Sequence, residues 1–240
     1  RMRPLLHRDR EENTHLEINE AESNVFVEKP DQLTFSYDSV FGPFSSHERI
    51  YDECAADVVR GCLEGINGTV FVYGQTGSGK TYMMEGSVED PGIIPRSFAH
   101  IFSGLDGSTA AVVGAQDHSV VKVSYAEIYN EKIRDLLVRP QDAKALRVRE
   151  DSKGRRFFVE GLTFSIVKNS AECMAVFEEG KEHRAVGSTD MNANSSRSHA
   201  IFSIVVERTT ISAAGALVAR CGKLSLVDLA GSERASTSFR

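Results

Sequence analysis

Thr69-Val70-Phe71-Val72-Tyr73-Gly74-Gln75-Thr76-Gly77-Ser78-Gly79-Lys80-Thr81 is the stretch that decides how this chain is read. Its first five residues are β-branched or aromatic, as a buried strand requires, and the glycines behind them let the backbone turn its N–H groups inward. Residues 74–81 fit the pattern G-x-x-x-x-G-K-[ST]: a loop that wraps phosphates, a lysine that adds positive charge and a hydroxyl for magnesium. Gly74, Gln75, Thr76, Gly77, Ser78, Gly79, Lys80 and Thr81 are therefore candidate nucleotide-binding residues. The plainer alternative, a glycine-rich strand-to-helix turn without a ligand, is opposed by the strand in front and the Lys80-Thr81 pair behind.

Composition narrows the field further. A chain of 240 residues with 41% hydrophobic side chains can bury a sizeable core. The net charge of −6 lacks the global positive field of a dedicated nucleic-acid binder. Cys54, Cys62, Cys173 and Cys221 show no C-x-x-C spacing, and reduced, buried thiols are expected. No stretch approaches the roughly 18 apolar residues of a membrane span, and the start is not a signal peptide, so an intracellular protein is expected. The chain opens without Met and ends in Ser236-Thr237-Ser238-Phe239-Arg240, which reads as a fragment.

Around the phosphate loop, strand and helix signals alternate. Arg1 to Leu6 reads as the tail of a strand, His15 to Ile18 and Asn24 to Val27 as hairpin material, and Gln32 to Tyr37 as a half-buried strand. Ser45-x-x-Glu48 matches a capping box, and Ile50, Cys54, Val58 and Cys62 repeat at helical spacing up to Gly65 or Gly68. A short helix is expected after Thr81, another over Arg96 to Phe102, a strand over Val120 to Tyr129 and a helix over Asn130 to Leu137. Short strands are expected at Leu146 to Val148, Phe157 to Val159 and Leu162 to Val167, around the basic tip Lys153-Gly154-Arg155-Arg156. Asn169 to Glu172 should cap a helix that carries Val176 and Phe177, and Ala200 to Glu207 and Lys223 to Asp228 close the series as strands. The pattern predicts an α/β domain with a central mixed, mostly parallel sheet and an antiparallel hairpin admixture.

Two further stretches carry chemistry. Asn192-Ala193-Asn194-Ser195-Ser196-Arg197-Ser198-His199 is a dense polar run between a helix and a strand, and Asp228-Leu229-Ala230-Gly231-Ser232-Glu233-Arg234 is a strand that ends in an acid and a glycine. Phosphoryl transfer gives both a purpose: the acid can hold magnesium-bound water, the glycine N–H can meet a γ-phosphate, and loop hydroxyls can complete the metal shell. Both loops would then sense the γ-phosphate and act as switches. Alone, each is an ordinary solvated loop or turn.

Together, Gly74 to Thr81, the Ser-Ser-Arg-Ser-His core of residues 192–199 and the Asp-Leu-Ala-Gly-Ser-Glu core of residues 228–234 resemble the phosphate loop, switch I and switch II of the kinesin motor domain. Arg1-Met2-Arg3-Pro4 is similar to the family's adenine-bordering strand end, Tyr82 falls where a ring packs on the base, and residues 125–137 resemble its Glu-Ile-Tyr-Asn region. The likeness covers the whole chain, and Val186 to Phe202 looks most like the heterotrimeric transport class. It implies a P-loop NTPase fold flanked by helices, with ATP and Mg2+ as cofactors. Arg1, Arg3, Pro4 and Tyr82 would lie at the base and Lys80 at the β- and γ-phosphates. Thr81 and Ser196 would ligate magnesium, and Asp228 would hold it through water. The Gly231 amide would meet the γ-phosphate, Ser195 would orient the lytic water, and Arg197 and Glu233 would pair to close the switches.

The same resemblance implies a microtubule partner reached through Lys153, Arg155 and Arg156, a cytoplasmic and cytoskeletal address, and dimerisation only through regions outside residues 1–240. It also implies a motor domain incomplete at its C-terminus and slightly at its N-terminus. Asn194 stands where many relatives have His, and Ser236 to Arg240 does not continue as the family does. Myosin shares the phosphate loop, Asn-x-Asn-Ser-Ser-Arg and Asp-x-x-Gly; Ser198-His199 and Gln75-Thr76 favour the kinesin type. The alternative of another class is a non-catalytic nucleotide- or tubulin-binding module derived from the same fold.

Overall fold

The computed structural model describes residues 1–4, 16–28, 32–106, 118–151, 154, 157–189, 197–211 and 216–233. Its centre is a mixed six-stranded sheet. Strand β4 (Gly68–Val72) carries the apolar run before the phosphate loop, and it pairs parallel with β11 (Leu217–Asp228). Next come β10 (His199–Ile211), β5 (His118–Tyr129) and β6 (Lys132–Asp135), with β9 (Ser165–Val167) also on β5. All of these later pairings are antiparallel, so the expectation of a mostly parallel sheet is corrected for the described strands. Connectivity gives the reason for β5 and β6, where one strand turns directly into the next and hairpin neighbours must run antiparallel.

That hairpin also replaces the helix expected over Asn130 to Leu137. Ile133, Leu136 and Leu137 have helical spacing, yet Asn130 (φ 47°) and Glu131 (φ 61°) both adopt left-handed backbone, the twist of a two-residue hairpin turn. Tyr129 then faces Lys132 across the ladder. Local turn chemistry outweighs a short apolar period here.

Helices α2 (Ala56–Leu63), α3 (Lys80–Glu85), α4 (Ile93–Asp106) and α5 (Ser170–Thr189) form a connected layer on this sheet. In front of α2 lies α1 (His47–Cys54), so the single helix expected from Ser45 onward is two, broken at Ala55 (φ −122°). The cap is Ser46, whose hydroxyl accepts the Arg49 N–H at 3.3 Å; the expected box beginning at Ser45 is displaced by one residue. Gly65 (φ 92°) ends α2 as anticipated. Helix α4 starts three residues earlier than predicted, because Pro95 sits in its first turn, where a missing N–H costs nothing. Asn169 caps α5 by accepting the Glu172 N–H at 2.8 Å.

The core is an aromatic cluster between helices and sheet. Phe98 of α4, Phe177 of α5, Tyr125 of β5 and Phe202 of β10 are all buried, with Phe202 within 5.3–5.4 Å, centroid to centroid, of the other three rings. These are edge-to-face or tilted contacts that add to the area each ring buries. Where α2 meets β11, a Cβ on Gly222 would lie 2.0 Å from the Cys62 carbonyl oxygen, so this crossing requires glycine.

Smaller sheets lie outside the core. β1 (Leu16–Asn19), β2 (Asn24–Val27) and β3 (Leu33–Ser36) form an antiparallel meander. β3 is exposed throughout, against the half-buried reading. β7 (Arg147–Glu150) and β8 (Phe157–Glu160) form a separate hairpin. Residues 1–4 are not in a ladder, although the Met2 N–H donates to Phe41 O at 2.9 Å. Strand β4 lies at the edge of the described sheet with Phe71 62% exposed, so only its Val70 and Val72 face meets the core, not both faces as expected. Among the thiols, Cys62 and Cys173 are buried as expected, whereas Cys54 and Cys221 are exposed. Among the described residues, no helix is long and apolar enough to cross a membrane.

Candidate nucleotide site

Sheet register brings the three chemical stretches to one end of the molecule. Asp228 pairs with Val72 on one side and with Ala200 on the other, so the loops after β4 and β11 and the segment before β10 leave the sheet together. The two loops are then tied by backbone: the Leu229 N–H donates to Val72 O at 3.4 Å and the Ser232 N–H to Gly74 O at 3.0 Å. His199 holds the third segment in place, its Nδ1 accepting the Ala230 N–H at 3.1 Å. That nitrogen must carry the lone pair, which puts the ring proton on Nε2 in the neutral tautomer.

Within the loop, Gly77 (φ 79°) and Gly79 (φ 94°) take left-handed conformations that other residues adopt only with strain. The Ser78 N–H donates to Gln75 O at 3.1 Å. Lys80, at the start of α3, turns its ammonium back on the loop, donating to Gly74 O at 2.8 Å and Gln75 O at 3.0 Å. Thr81, the next residue, donates its hydroxyl to Asp228 Oδ2 at 2.6 Å. Two oxygen-bearing side chains 147 residues apart in sequence thus touch. Among the described residues, the other carboxylate oxygen, Asp228 Oδ1, is buried with no hydrogen-bond partner. An oxygen donor set with an orphaned carboxylate atom fits a hard cation that keeps part of its water shell.

Glu233 accepts from the Thr76 N–H at 2.9 Å and from the Thr76 hydroxyl. The Thr76 hydroxyl first, then the backbone N–H groups of Glu233 itself and of Thr76, hold its carboxyl below the usual range. The carboxylate lies on the phosphate loop rather than on Arg197, which is exposed just before β10. Gly231 sits against both, since a Cβ there would meet Glu233 and Thr76 oxygens at 2.4–2.6 Å. Ser195 and Ser196 lie outside the described residues, as do Lys153, Arg155 and Arg156; Gly154 of that tip turns with φ 62°.

On the opposite flank, Arg1 and Arg3 line a cleft of about 270 Å³ together with Tyr73, Ser78, Lys80 and Met83. The Arg1 guanidinium lies 5.7 Å over the Tyr82 ring, a cation–π distance, and Arg3 donates to Pro4 O at 3.0 Å. The structure therefore gathers Arg1, Arg3 and Tyr82 beside the phosphate loop. It also shows partners the sequence did not single out. Arg184 of α5 donates to Ser198 Oγ at 2.9 Å and to Glu127 Oε1 at 3.2 Å, and Glu127 pairs with Arg134 at 2.8 Å. Glu127 lies in the stretch Glu127-Ile128-Tyr129-Asn130, where a buried charge in a strand was the available signal.

Comparison with known proteins fits this geometry. A sequence model of the kinesin motor domain matches residues 1–240. The chain belongs to the kinesin motor domain family. One relative, the kinesin-like protein KIN-7E, chloroplastic, of Oryza sativa subsp. japonica, is 40% identical over 205 residues, covering 85% of this chain and 17% of the relative. A solved structure of a fast kinesin, described for its ATPase mechanism and interactions with microtubules, superposes with a TM-score of 0.87 at 36% identity, over 100% of this chain and 66% of that one. This kinesin motor fold, with its mixed sheet and flanking helices, is the one expected.

Proposed function

We propose that this kinesin motor domain binds and hydrolyses ATP with Mg2+ and couples that cycle to microtubule binding and movement. The observation that carries the reading is the Thr81 hydroxyl on Asp228 Oδ2 at 2.6 Å, which joins the phosphate loop to the end of the switch II strand. Family membership supports the rest.

Thr81 and Ser196 would ligate magnesium and Asp228 would hold it through water; when bound, the ion neutralises charge on the β- and γ-phosphates. The protein's own groups have separable tasks. Lys80 exchanges its two carbonyl acceptors for phosphate oxygens, Gly74 to Ser78 offer backbone N–H groups, and the Gly231 N–H meets the γ-phosphate. Arg1, Arg3, Pro4 and Tyr82 border the adenine. Glu233 leaves Thr76 for Arg197, and this pair, with Ser195, orients the water that attacks. Closure of residues 192–199 onto 228–233 then reports the γ-phosphate, and its loss after hydrolysis releases them. Lys153, Arg155 and Arg156 supply a basic contact to the acidic microtubule surface, which raised salt weakens.

Co-sedimentation with microtubules in ATP and in ADP tests the coupling. A bound fraction that changes with the nucleotide is expected. A fraction indifferent to nucleotide would contradict the coupling and favour a non-catalytic tubulin-binding module.

A further inference from the structure

Behind the contact between Thr81 and Asp228, a cavity of about 10 Å³ lies between the sheet and helices α3, α4 and α5. That is room for about one water. Apolar side chains close much of it, but Glu85, Tyr125, Arg184 and Asp228 line it too, and none of the roles above uses the Tyr125 hydroxyl. Cavities that stay dry are walled by apolar groups alone, and this one is not.

One polar atom at the cavity lacks a partner. Asp228 Oδ2 takes the Thr81 hydroxyl at 2.6 Å, whereas among the described residues Oδ1 is buried without a hydrogen bond. A buried carboxylate oxygen shut away from donors is costly. The Tyr125 hydroxyl stands among the charges of Arg184, Glu85 and Asp228, and it is hydrogen-bonded to Arg184. Burial pushes this phenol above the usual tyrosine range, so it keeps its proton at neutral pH. A guanidinium can only donate, so the tyrosine oxygen accepts from Arg184 and its own O–H is left to point onward. A water in the cavity can accept that O–H and donate to Asp228 Oδ1, while Glu85, paired with Lys181 at 2.7 Å, offers its second hydrogen an acceptor. The order Arg184, Tyr125, water, Asp228 then runs in one direction, each group donating to the next, and successive bonds in such a chain strengthen one another.

We propose that the cavity binds one water and that Tyr125, acting through it, is a positioning residue for Asp228: the water fixes Oδ1 from behind and keeps Oδ2 turned to Thr81, the side on which the acid serves the metal. The inference rests on the nucleotide-site reading above and adds to it a buried support for the acid. Because Arg184 also donates to Ser198 Oγ at 2.9 Å, the same support joins the segment before β10 to the end of β11.

Tyr125→Phe removes the hydroxyl and keeps the ring, which packs on Phe177 at 5.4 Å and on Phe202 at 5.3 Å. The full-length protein is tested with Mn2+, which suits the same oxygen ligands as magnesium, its affinity for the ADP complex read by electron paramagnetic resonance. Tyr125→Phe is expected to weaken Mn2+ binding about three- to tenfold, the worth of one hydrogen bond, and to leave ADP affinity in EDTA unchanged. In an Asp228→Ala background the same substitution should cost nothing further, since the carboxylate it supports is gone. A purely structural role would lower both affinities and persist without Asp228. A high-resolution crystal structure of the wild type should show a water within hydrogen-bond distance of Asp228 Oδ1 and the Tyr125 hydroxyl, a test that stands even if Tyr125→Phe fails to fold. A cavity without that water, an unchanged Mn2+ affinity in Tyr125→Phe, a matching loss of ADP affinity in EDTA, or an equal loss in the Asp228→Ala background would each overturn the inference. Wild-type protein that binds neither ADP nor Mn2+ with ADP would instead overturn the nucleotide-site reading, and this inference with it.

Discussion

Replacing Arg184 with methionine keeps an unbranched apolar stem and removes the fork of donors. Ser198 Oγ, in a residue almost wholly buried, then loses the donor at 2.9 Å, and Glu127 loses the donor at 3.2 Å while keeping Arg134 at 2.8 Å. Arg184 and Glu127 side chains are 13% and 10% exposed, so solvent screens their pair little. A stranded buried hydroxyl costs about 1–3 kcal/mol. Breaking a buried ion pair costs about 3–5 kcal/mol. With Arg134 still in place, the lower end of each range applies, and a total loss of about 4 kcal/mol is expected. Urea unfolding of the motor domain followed by circular dichroism reads this directly. A cycle with Glu127→Gln should show coupling of about 1 kcal/mol or more, and Arg184→Lys should fall between the parent and Arg184→Met. Because Ser198 precedes His199, which holds Ala230, kcat should fall more than KM changes. A loss below about 0.5 kcal/mol with no coupling would refute the reasoning.

Further predictions concern single groups. Lys80→Ala should abolish nucleotide binding or hydrolysis, and unchanged turnover would remove the phosphate-loop assignment. Glu233→Ala should bind ATP yet hydrolyse it slowly, since water positioning is lost while phosphate contacts stay; single-turnover kinetics separate the two. Phe202→Ala should cost about 3–5 kcal/mol in unfolding free energy, because the ring sits among three others. Burial pushes the Cys62 thiol up to about 11 and Cys173 up to about 12, so both stay protonated at pH values below these and should resist alkylation in the folded state. Cys221, exposed, should be labelled under the same conditions, and mass mapping of the adducts checks the contrast.

How much of this was legible in the sequence depends on how local each signal is. The phosphate loop could be read because its chemistry is contained in residues 74–81, and the strand in front follows from five adjacent residues. Asp228 could be read because an acid closes an apolar strand. The helix expected over residues 130–137 failed because three apolar positions fit either period, and the backbone at Asn130 and Glu131 decided for a hairpin. Composition predicts a buried β4 but says nothing of how many neighbours a strand has. Glu127 and Arg184 escaped notice because each takes its meaning from the other, 57 residues away. Only the fold brings such groups together. Glu233 on Thr76 is of the same kind, a contact spanning 157 residues.

Steady-state ATP turnover with and without microtubules tests the central claim most directly. The account predicts magnesium-dependent hydrolysis that microtubules accelerate and that Lys80→Ala abolishes. Nucleotide binding without turnover, in the presence or absence of microtubules, would contradict it.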